Sequence, residues 1–208
     1  MKNNFVTRNY VATFETRNDD EVKGLVVGRP IVFNSRTNIG GYFNEIIERG
    51  ALDKTDLTDL SFMTNHDLNQ LPLARYRSDS ENNSLTFTVD ENGMTIQTIL
   101  DIENNPRAAE LYSAICRGDI TGMSFMFGVE DERWEELESD MPTRYITNIS
   151  KVVEISAVNF PAYKSTSINS RSADAENILK EARKILIPKL DTNELELQRI
   201  KNKNLFLF

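Results

Sequence analysis

The chain has little of the two residue types that bind transition metals and form cross-links. Its 208 residues include one cysteine, Cys116, and one histidine, His66. A single cysteine forms no disulfide within the chain, which points to an intracellular protein. The sequence holds no cluster of cysteine and histidine ligands for zinc, no EF-hand spacing of carboxylates and no glycine-rich phosphate loop. We therefore predict no bound metal and no cofactor.

The chain is also short of positive charge and of long apolar runs. Lys and Arg number 24 against 32 Asp and Glu, for a formal net charge of −8. The phosphate backbone repels such an acidic surface, so we expect no nucleic-acid partner. No segment approaches the roughly eighteen consecutive apolar residues of a membrane span. Residues 1–5 lack the apolar centre of a secretory signal. We expect no contact with a membrane.

What the sequence does contain is a series of short segments with β-strand patterns. Residues 22–33 are rich in residues that favour β-strands. In residues 85–100, apolar and polar side chains alternate on both sides of a turn at Asp90–Gly93, which predicts a hairpin. Further strands are predicted over 123–129, 144–149 and 152–158. Residues 43–60 are expected to form loop and short helix, and 130–140 an exposed acidic connection or hairpin tip.

One helix is predicted between residues 105 and 118. Asn105 suits the N-cap, Pro106 the first turn and Gly118 the stop. The apolar face would consist of Ala108, Leu111, Tyr112 and Ile115. Cys116 is expected to lie in the core beside that face. The fold class is therefore mainly β with helices, α+β.

The composition changes after Pro161. Residues 165–172 are rich in Ser, Thr and Asn and predict a linker. An apolar stripe at helical spacing follows, from Ala175 to Leu186. We predict one domain over 1–171 and a C-terminal linker with an amphipathic helical appendage over 172–208.

Three apolar segments each carry a reactive polar side chain. They hold His66 after Leu60–Asn65, Ser124 within Asp119–Phe127 and Glu154 within Val153–Tyr163. A nucleophile, a base and a carboxylate that orients the base are the minimum set for serine-type acyl transfer. Because the chain has one histidine, any Ser–His mechanism must use His66.

Each of these residues also has a structural interpretation. Ser124 suits a plain strand serine, His66 a half-buried surface histidine and Glu154 a solvent-facing strand position. Asp67 is a weaker candidate than Glu154 for orienting the imidazole, because adjacent residues on an extended chain point to opposite sides. Ser156 is a candidate for a supporting role or an alternative nucleophile.

Several segments, in order, resemble the prohead serine protease family of tailed bacteriophages. They are Gly28–Asn34, Phe43–Leu52, Phe62–Asp67, Arg117–Phe127 and Glu154–Tyr163. The resemblance covers about residues 22 to 171. Met126 departs from it, because many relatives have glycine there, and it is expected to narrow the site beside Ser124.

The resemblance implies a fold and a function. The fold is expected to be a closed, mostly antiparallel β-barrel like that of the herpesvirus capsid-maturation protease, with peripheral helices. By the same similarity His66 is the base, Ser124 the nucleophile and Glu154 the third member, where herpesvirus enzymes use a second histidine. The protein is expected to be a serine endopeptidase that acts in the host cytoplasm, inside the assembling prohead.

The resemblance also implies partners. They are the major capsid protein and the scaffold precursor, and the enzyme is expected to cleave itself as well. A homo-oligomer is compatible with the resemblance, since herpesvirus relatives work as dimers. Two other functions fit the same residues, a non-catalytic β-barrel module for capsid assembly and a serine esterase for small molecules.

Overall fold

The computed structural model describes residues 5–11, 14–16, 23–159 and 168–186. Within these ranges the fold is mainly β with two helices, which confirms the predicted α+β class. The elements are β1 Phe5–Val11, β2 Glu15–Thr16, β3 Leu25–Val32, β4 Thr37–Ile39, β5 Phe43–Ile47, β6 Asp59–Thr64, β7 Ala74–Arg77, β8 Leu85–Asp90, β9 Gly93–Ile99, α1 Pro106–Arg117, β10 Gly122–Glu135, β11 Thr143–Val158 and α2 Ile168–Leu186.

The strands form two sheets. The larger has the order β1-β10-β11-β5-β4, and β6 joins it by pairing with β11 and with β7. The smaller has the order β2-β3-β9-β8. Most pairs are antiparallel, but β11 runs parallel to both β5 and β6. In the described part of the chain neither sheet closes on itself, so the closed barrel is not confirmed and stays a prediction.

The two longest strands, β10 and β11, form the centre of the larger sheet. Their register shifts near Met126 and again near Gly128, which bends both strands. One half of β11 pairs with β5 and the other half with β6. The prediction of two separate strands over 144–149 and 152–158 is therefore wrong, because pairing with β10 continues across the irregular segment between them. β10 also runs to Glu135, into the segment expected to be a connection or hairpin tip, and the tip of the β10–β11 hairpin lies between Glu135 and Thr143.

The predicted hairpin and helix are confirmed. The Asp90 carboxylate accepts hydrogen bonds from the backbone N–H groups of Asn92 (2.7 Å) and Gly93 (3.0 Å) and so shapes the β8–β9 turn. In α1 the Asn105 side chain accepts from two backbone N–H groups, and Gly118 adopts the left-handed conformation that ends the helix. Cys116 is exposed, so its predicted place in the core is wrong.

Residues 43–60 differ from their prediction. They contain β5 and the first part of β6, in place of loop and short helix. The side chains of β5 alternate between buried and half-buried, but one buried position is a glutamate, Glu45. A charge at a core-facing position hides the apolar alternation by which a strand is recognised.

The main core lies between the two sheets and α1. Large, fully buried side chains fill it, among them Ile31, Phe62, Phe125 and Phe127. A second cluster joins Phe43 to the buried Ala175 and Leu179 of α2. This helix begins at Ile168, inside the segment predicted to be a linker, and residues 160–167 lie outside the described ranges. No helix in the described ranges is long and apolar enough to cross a membrane.

Candidate active site

Ser124 lies in the middle of the larger sheet, on β10. Its cross-strand neighbours are Ser156 on β11 and Asn9 on β1. Its side chain has no exposure to solvent. Ser124 and Phe125 are adjacent on β10, so their side chains point to opposite faces of the sheet. Both side chains are fully buried, and the turn after β6 brings His66 into contact with Ser124.

His66 is held in a tight turn just after β6. Asn65 and His66 both have positive φ angles, 52° and 60°, a strained region for residues other than glycine. The Asn65 backbone N–H donates to the carbonyl oxygen of Ala157 (3.0 Å), and its side-chain oxygen accepts from the N–H of Asn159 (3.0 Å). Because β6 runs parallel to β11, these contacts fix the turn against the end of β11. His66 thereby reaches back over the sheet toward Ser124.

Glu154 lies on β11, on the same face as Ser156. Its side chain is 1% exposed, so the solvent-facing interpretation is wrong. One carboxylate oxygen pairs with His66 Nδ1, and the other accepts a hydrogen bond from the Ser156 hydroxyl at 2.6 Å. A buried carboxylate is stable only when paired or hydrogen-bonded, and both of its oxygens have partners.

Two further candidates from the sequence have other contacts. Ser156 Oγ accepts from the backbone N–H of His66 at 3.0 Å, so this hydroxyl connects Glu154 to the histidine turn. The Asp67 carboxylate accepts from the backbone N–H of Asn69 at 3.1 Å and stabilises the local turn.

The three predicted residues therefore form one connected line, from Glu154 through His66 to Ser124. His66 Nε2 lies 2.5 Å from Ser124 Oγ. An ionised carboxylate only accepts hydrogen bonds, so Nδ1 must carry a proton, and this N–H group donates a hydrogen bond to Glu154. In the neutral ring Nε2 is then unprotonated and can accept the proton of the Ser124 hydroxyl. This is the tautomer that a general base for serine needs.

The same hydroxyl has a second acceptor. Ser124 Oγ lies 2.8 Å from the carbonyl oxygen of Arg8 on β1. A hydroxyl has one proton, so it cannot donate to Arg8 and to His66 Nε2 at the same time. The two contacts compete.

The Arg8 side chain enters a buried ion-pair cluster that sequence reasoning missed. Its guanidinium binds both carboxylate oxygens of Glu45, and Arg144 donates to one of them at 3.0 Å. Glu45 is fully buried. Burial raises the pKa of Glu45, but the positive charges of Arg8 and Arg144 outweigh it and hold that pKa below its ordinary value. The signal in the sequence was the acid at a core-facing position of β5.

The described residues contain no group of three or more His, Cys, Asp or Glu side chains that could hold a metal ion. The site contains a hydroxyl in contact with an imidazole, and the imidazole is in contact with a carboxylate. This arrangement is suited to nucleophilic acyl transfer.

Comparison with known proteins agrees with this chemistry. The sequence model of the caudovirus prohead serine protease family matches residues 12–181. No curated protein and no solved structure matches the chain. The family match covers well over half of the 208 residues and includes the strands and the turn that carry Ser124, His66 and Glu154. The chain therefore belongs to the caudovirus prohead serine protease family and is a serine protease of phage capsid maturation.

Proposed function

We propose that Ser124 is the nucleophile, His66 the general base and Glu154 the carboxylate that orients the base. The observation that carries the proposal is the continuous line of contacts from Glu154 to His66 Nδ1 and from His66 Nε2 to Ser124 Oγ. Burial of the acid excludes water from its contact with the ring, which strengthens that contact.

The reaction would have two steps. Ser124 Oγ attacks the scissile carbonyl carbon while His66 Nε2 takes the hydroxyl proton and then gives it to the leaving amine. A water molecule, deprotonated by His66, next attacks the acyl-enzyme and releases the new carboxyl terminus. Glu154 stabilises the imidazolium in both steps, and Ser124 regains its proton at the end.

The substrates we propose are proteins of the immature capsid. As a prohead protease the chain acts inside the assembling prohead and associates with capsid and scaffold proteins. We infer that it cleaves the scaffold, or the scaffold-like segment of the major capsid protein, and that it also cleaves itself. Family membership supports a protease over the two alternatives, a non-catalytic assembly module and a small-molecule esterase.

We also propose that residues 1–171 form the protease domain and that residues 172–208 are an appendage that docks to capsid or scaffold and is trimmed. The first part of this segment belongs to α2, whose Arg183 donates to the carbonyl oxygens of Leu137 (2.9 Å) and Ser139 (2.7 Å). Mass spectrometry of mature particles tests trimming, and an intact C-terminus would contradict it.

The catalytic proposal is tested by co-expression with the capsid precursor. Wild-type chain is expected to yield shortened capsid protein on a gel, whereas Ser124→Ala and His66→Ala both leave the precursor intact. Ser113→Ala, which removes an exposed hydroxyl on α1, is the matched control and is expected to cleave like wild type. Normal cleavage by Ser124→Ala would overturn the assignment.

A further inference from the structure

Strand β1 occupies the edge of β10 to which an extended substrate would add as a strand. It is the terminal strand of the larger sheet and pairs antiparallel with β10, with Asn9 opposite Ser124. The fully buried Ser124 can be reached by a peptide along this edge of β10 only if the peptide takes the place of β1. Proteins commonly bind extended peptides by adding a strand to a sheet edge.

The backbone contact at Ser124 defines the position of Arg8 relative to the chemistry. In a serine protease the nucleophile attacks the carbonyl of the residue immediately before the scissile bond. The carbonyl group that meets Ser124 Oγ belongs to Arg8, at 2.8 Å from its oxygen. The distance is to the oxygen and not to the carbon that the nucleophile attacks, so Arg8 lies next to the position of that residue, and the Arg8–Asn9 peptide lies next to the position of the scissile bond.

The Arg8 carbonyl oxygen also competes with the base for the Ser124 proton. The Ser124 hydroxyl lies within hydrogen-bond distance of both acceptors, and whenever its proton is donated to Arg8 that proton is not available to His66 Nε2. A hydroxyl in this state is a weak nucleophile, because activation requires the base to take its proton.

The Arg8 side chain fills a pocket with an acid at its base. The Nε and Nη2 atoms of Arg8 bind the two oxygens of Glu45, and Nη1 donates to the carbonyl oxygen of Thr7 at 3.0 Å. This two-point contact matches the planar guanidinium and is not reproduced by the single ammonium of lysine. The side chains of Arg8 and Glu45 are 9% and 0% exposed.

Glu45 pairs with two cations, Arg8 and Arg144. If β1 left, Glu45 would keep Arg144 but lose Arg8, and Arg144 is shared with Glu132. A buried carboxylate that loses a cation is strongly destabilised unless another cation replaces it. The vacated pocket thus favours an incoming arginine and disfavours apolar or acidic side chains.

We propose that β1 is a resident pseudosubstrate, and that the site it vacates selects peptides with arginine immediately before the scissile bond, through Glu45. This inference rests on the proposed function, since it names the substrate class of the Ser124 site. It assigns a specificity role to Glu45 and an autoinhibitory role to Arg8.

The first experiment maps the bonds that the full-length chain cleaves in the capsid precursor. Mass spectrometry of the fragments is expected to find arginine at the new carboxyl termini. A peptide that spans a mapped site is then compared with the same peptide carrying citrulline, a neutral isostere, in place of that arginine. We expect kcat/KM for the citrulline peptide to be roughly tenfold to hundredfold lower, the range for loss of a charge-assisted hydrogen bond.

The second experiment changes the two members of the pocket. Glu45→Gln is expected to reduce the ratio of kcat/KM between the arginine and citrulline peptides to near one. Glu48→Gln, which removes a carboxylate at the surface beside Arg133, is the matched control and leaves the ratio unchanged. Arg8→Ala weakens the hold of β1 and is expected to raise kcat/KM for the arginine peptide several-fold, and Arg8→Lys gives an intermediate value.

The outcomes separate this proposal from the proposed function. Two results would overturn selection of arginine by Glu45 and leave the catalytic assignment in place. One is Ser124-dependent cleavage after residues other than arginine, and the other is a preference for the arginine peptide that persists in Glu45→Gln. Equal kcat/KM of Arg8→Ala and wild type for the arginine peptide overturns the proposal that β1 is a pseudosubstrate. Absence of any Ser124-dependent cleavage of the precursor overturns both. The mapped cleavage sites decide the matter even where a pocket variant fails to fold.

Discussion

Glu154 is a carboxylate in an otherwise apolar strand, and its surroundings suit the orienting role that we propose for it. Val153 and Ile155 flank it in sequence, and the fold leaves it 1% exposed. His66 and Ser156 provide its hydrogen bonds, so the acid is satisfied without water. A negative charge fixed beside Nδ1 holds the ring in the tautomer that can accept the serine proton.

Glu154→Gln tests this role. The amide keeps the shape of the side chain but loses the charge, and it can present an N–H group that favours the wrong tautomer. We expect kcat to fall by about 10³- to 10⁴-fold, as for the corresponding change in other serine proteases. Glu103→Gln, at an exposed position, is the control and is expected to keep wild-type kcat. A loss of less than tenfold in Glu154→Gln would contradict the assignment.

We propose Ser156 as a positioning residue that acts through Glu154 and His66. Ser156→Ala removes the donor to the carboxylate and the acceptor for the His66 backbone N–H. We expect kcat to fall roughly tenfold to hundredfold with KM little changed, the range for unsatisfied buried polar groups. Ser156→Thr retains the hydroxyl and is expected to restore most of kcat. An unchanged kcat in Ser156→Ala would show that the turn holds its geometry without this contact.

Sequence reasoning proposed Ser124, His66 and Glu154 from their place in family-like segments and from the presence of one histidine, and the structure places the three in contact. It could not find the Arg8–Glu45 contact. That ion pair joins residues 37 positions apart on two strands, and charge alone does not distinguish it from a solvated surface pair.

At the scale of elements, local signals were the most reliable. Helix α1 has a cap, a proline and a stop close together in sequence, and all three act as predicted. Strand β5 and the continuous β11 depend on pairing with distant strands. Their local patterns are interrupted by Glu45 and by the irregular register opposite Gly128, so sequence alone did not reveal them.

The docking of β1 is expected to depend on pH, because it uses the ionised form of Glu45. The pKa of Glu45 is held below its ordinary value of 4.5, so its ionised form stabilises the fold fully above about pH 4.5. That contribution is lost as the pH falls through the lower pKa of the folded state. Thermal melting between pH 7 and 3 is expected to show a steeper loss of Tm in wild type than in Glu45→Gln. Parallel curves would contradict a stabilising role for this ion pair.

The β8–β9 turn depends on Gly93. A Cβ atom there would lie 1.9 Å from the backbone oxygen of Ile31, at a φ of 143°. We expect Gly93→Ala to lower the free energy of unfolding by about 1–3 kcal/mol or more, measured by urea denaturation. Gly118→Ala is the control, because it also has a positive φ but meets nothing within 4 Å. Equal losses in the two variants would show that the clash is relieved by a small backbone shift.

At the scale of the whole molecule, the larger sheet brings together residues far apart in sequence. β6 pairs with β11 and is followed by the turn that carries His66, whereas β1 pairs with β10, the strand that carries Ser124. The parallel pairing of β6 with β11 directs the histidine turn to the end of β11, beside Asn159. The line of contacts from Glu154 through His66 to Ser124 is thus a property of the sheet order.

The most direct test of the central claim is covalent labelling of the nucleophile. A fluorophosphonate reacts with serines that a neighbouring base activates, and peptide mass spectrometry identifies the modified residue. Wild-type chain and the Arg8→Ala variant, in which β1 is less firmly held, would be labelled in parallel with His66→Ala. We predict an adduct on Ser124 that is stronger in Arg8→Ala and absent in His66→Ala. An adduct on another serine, or none on Ser124 in either wild type or Arg8→Ala, would contradict the account.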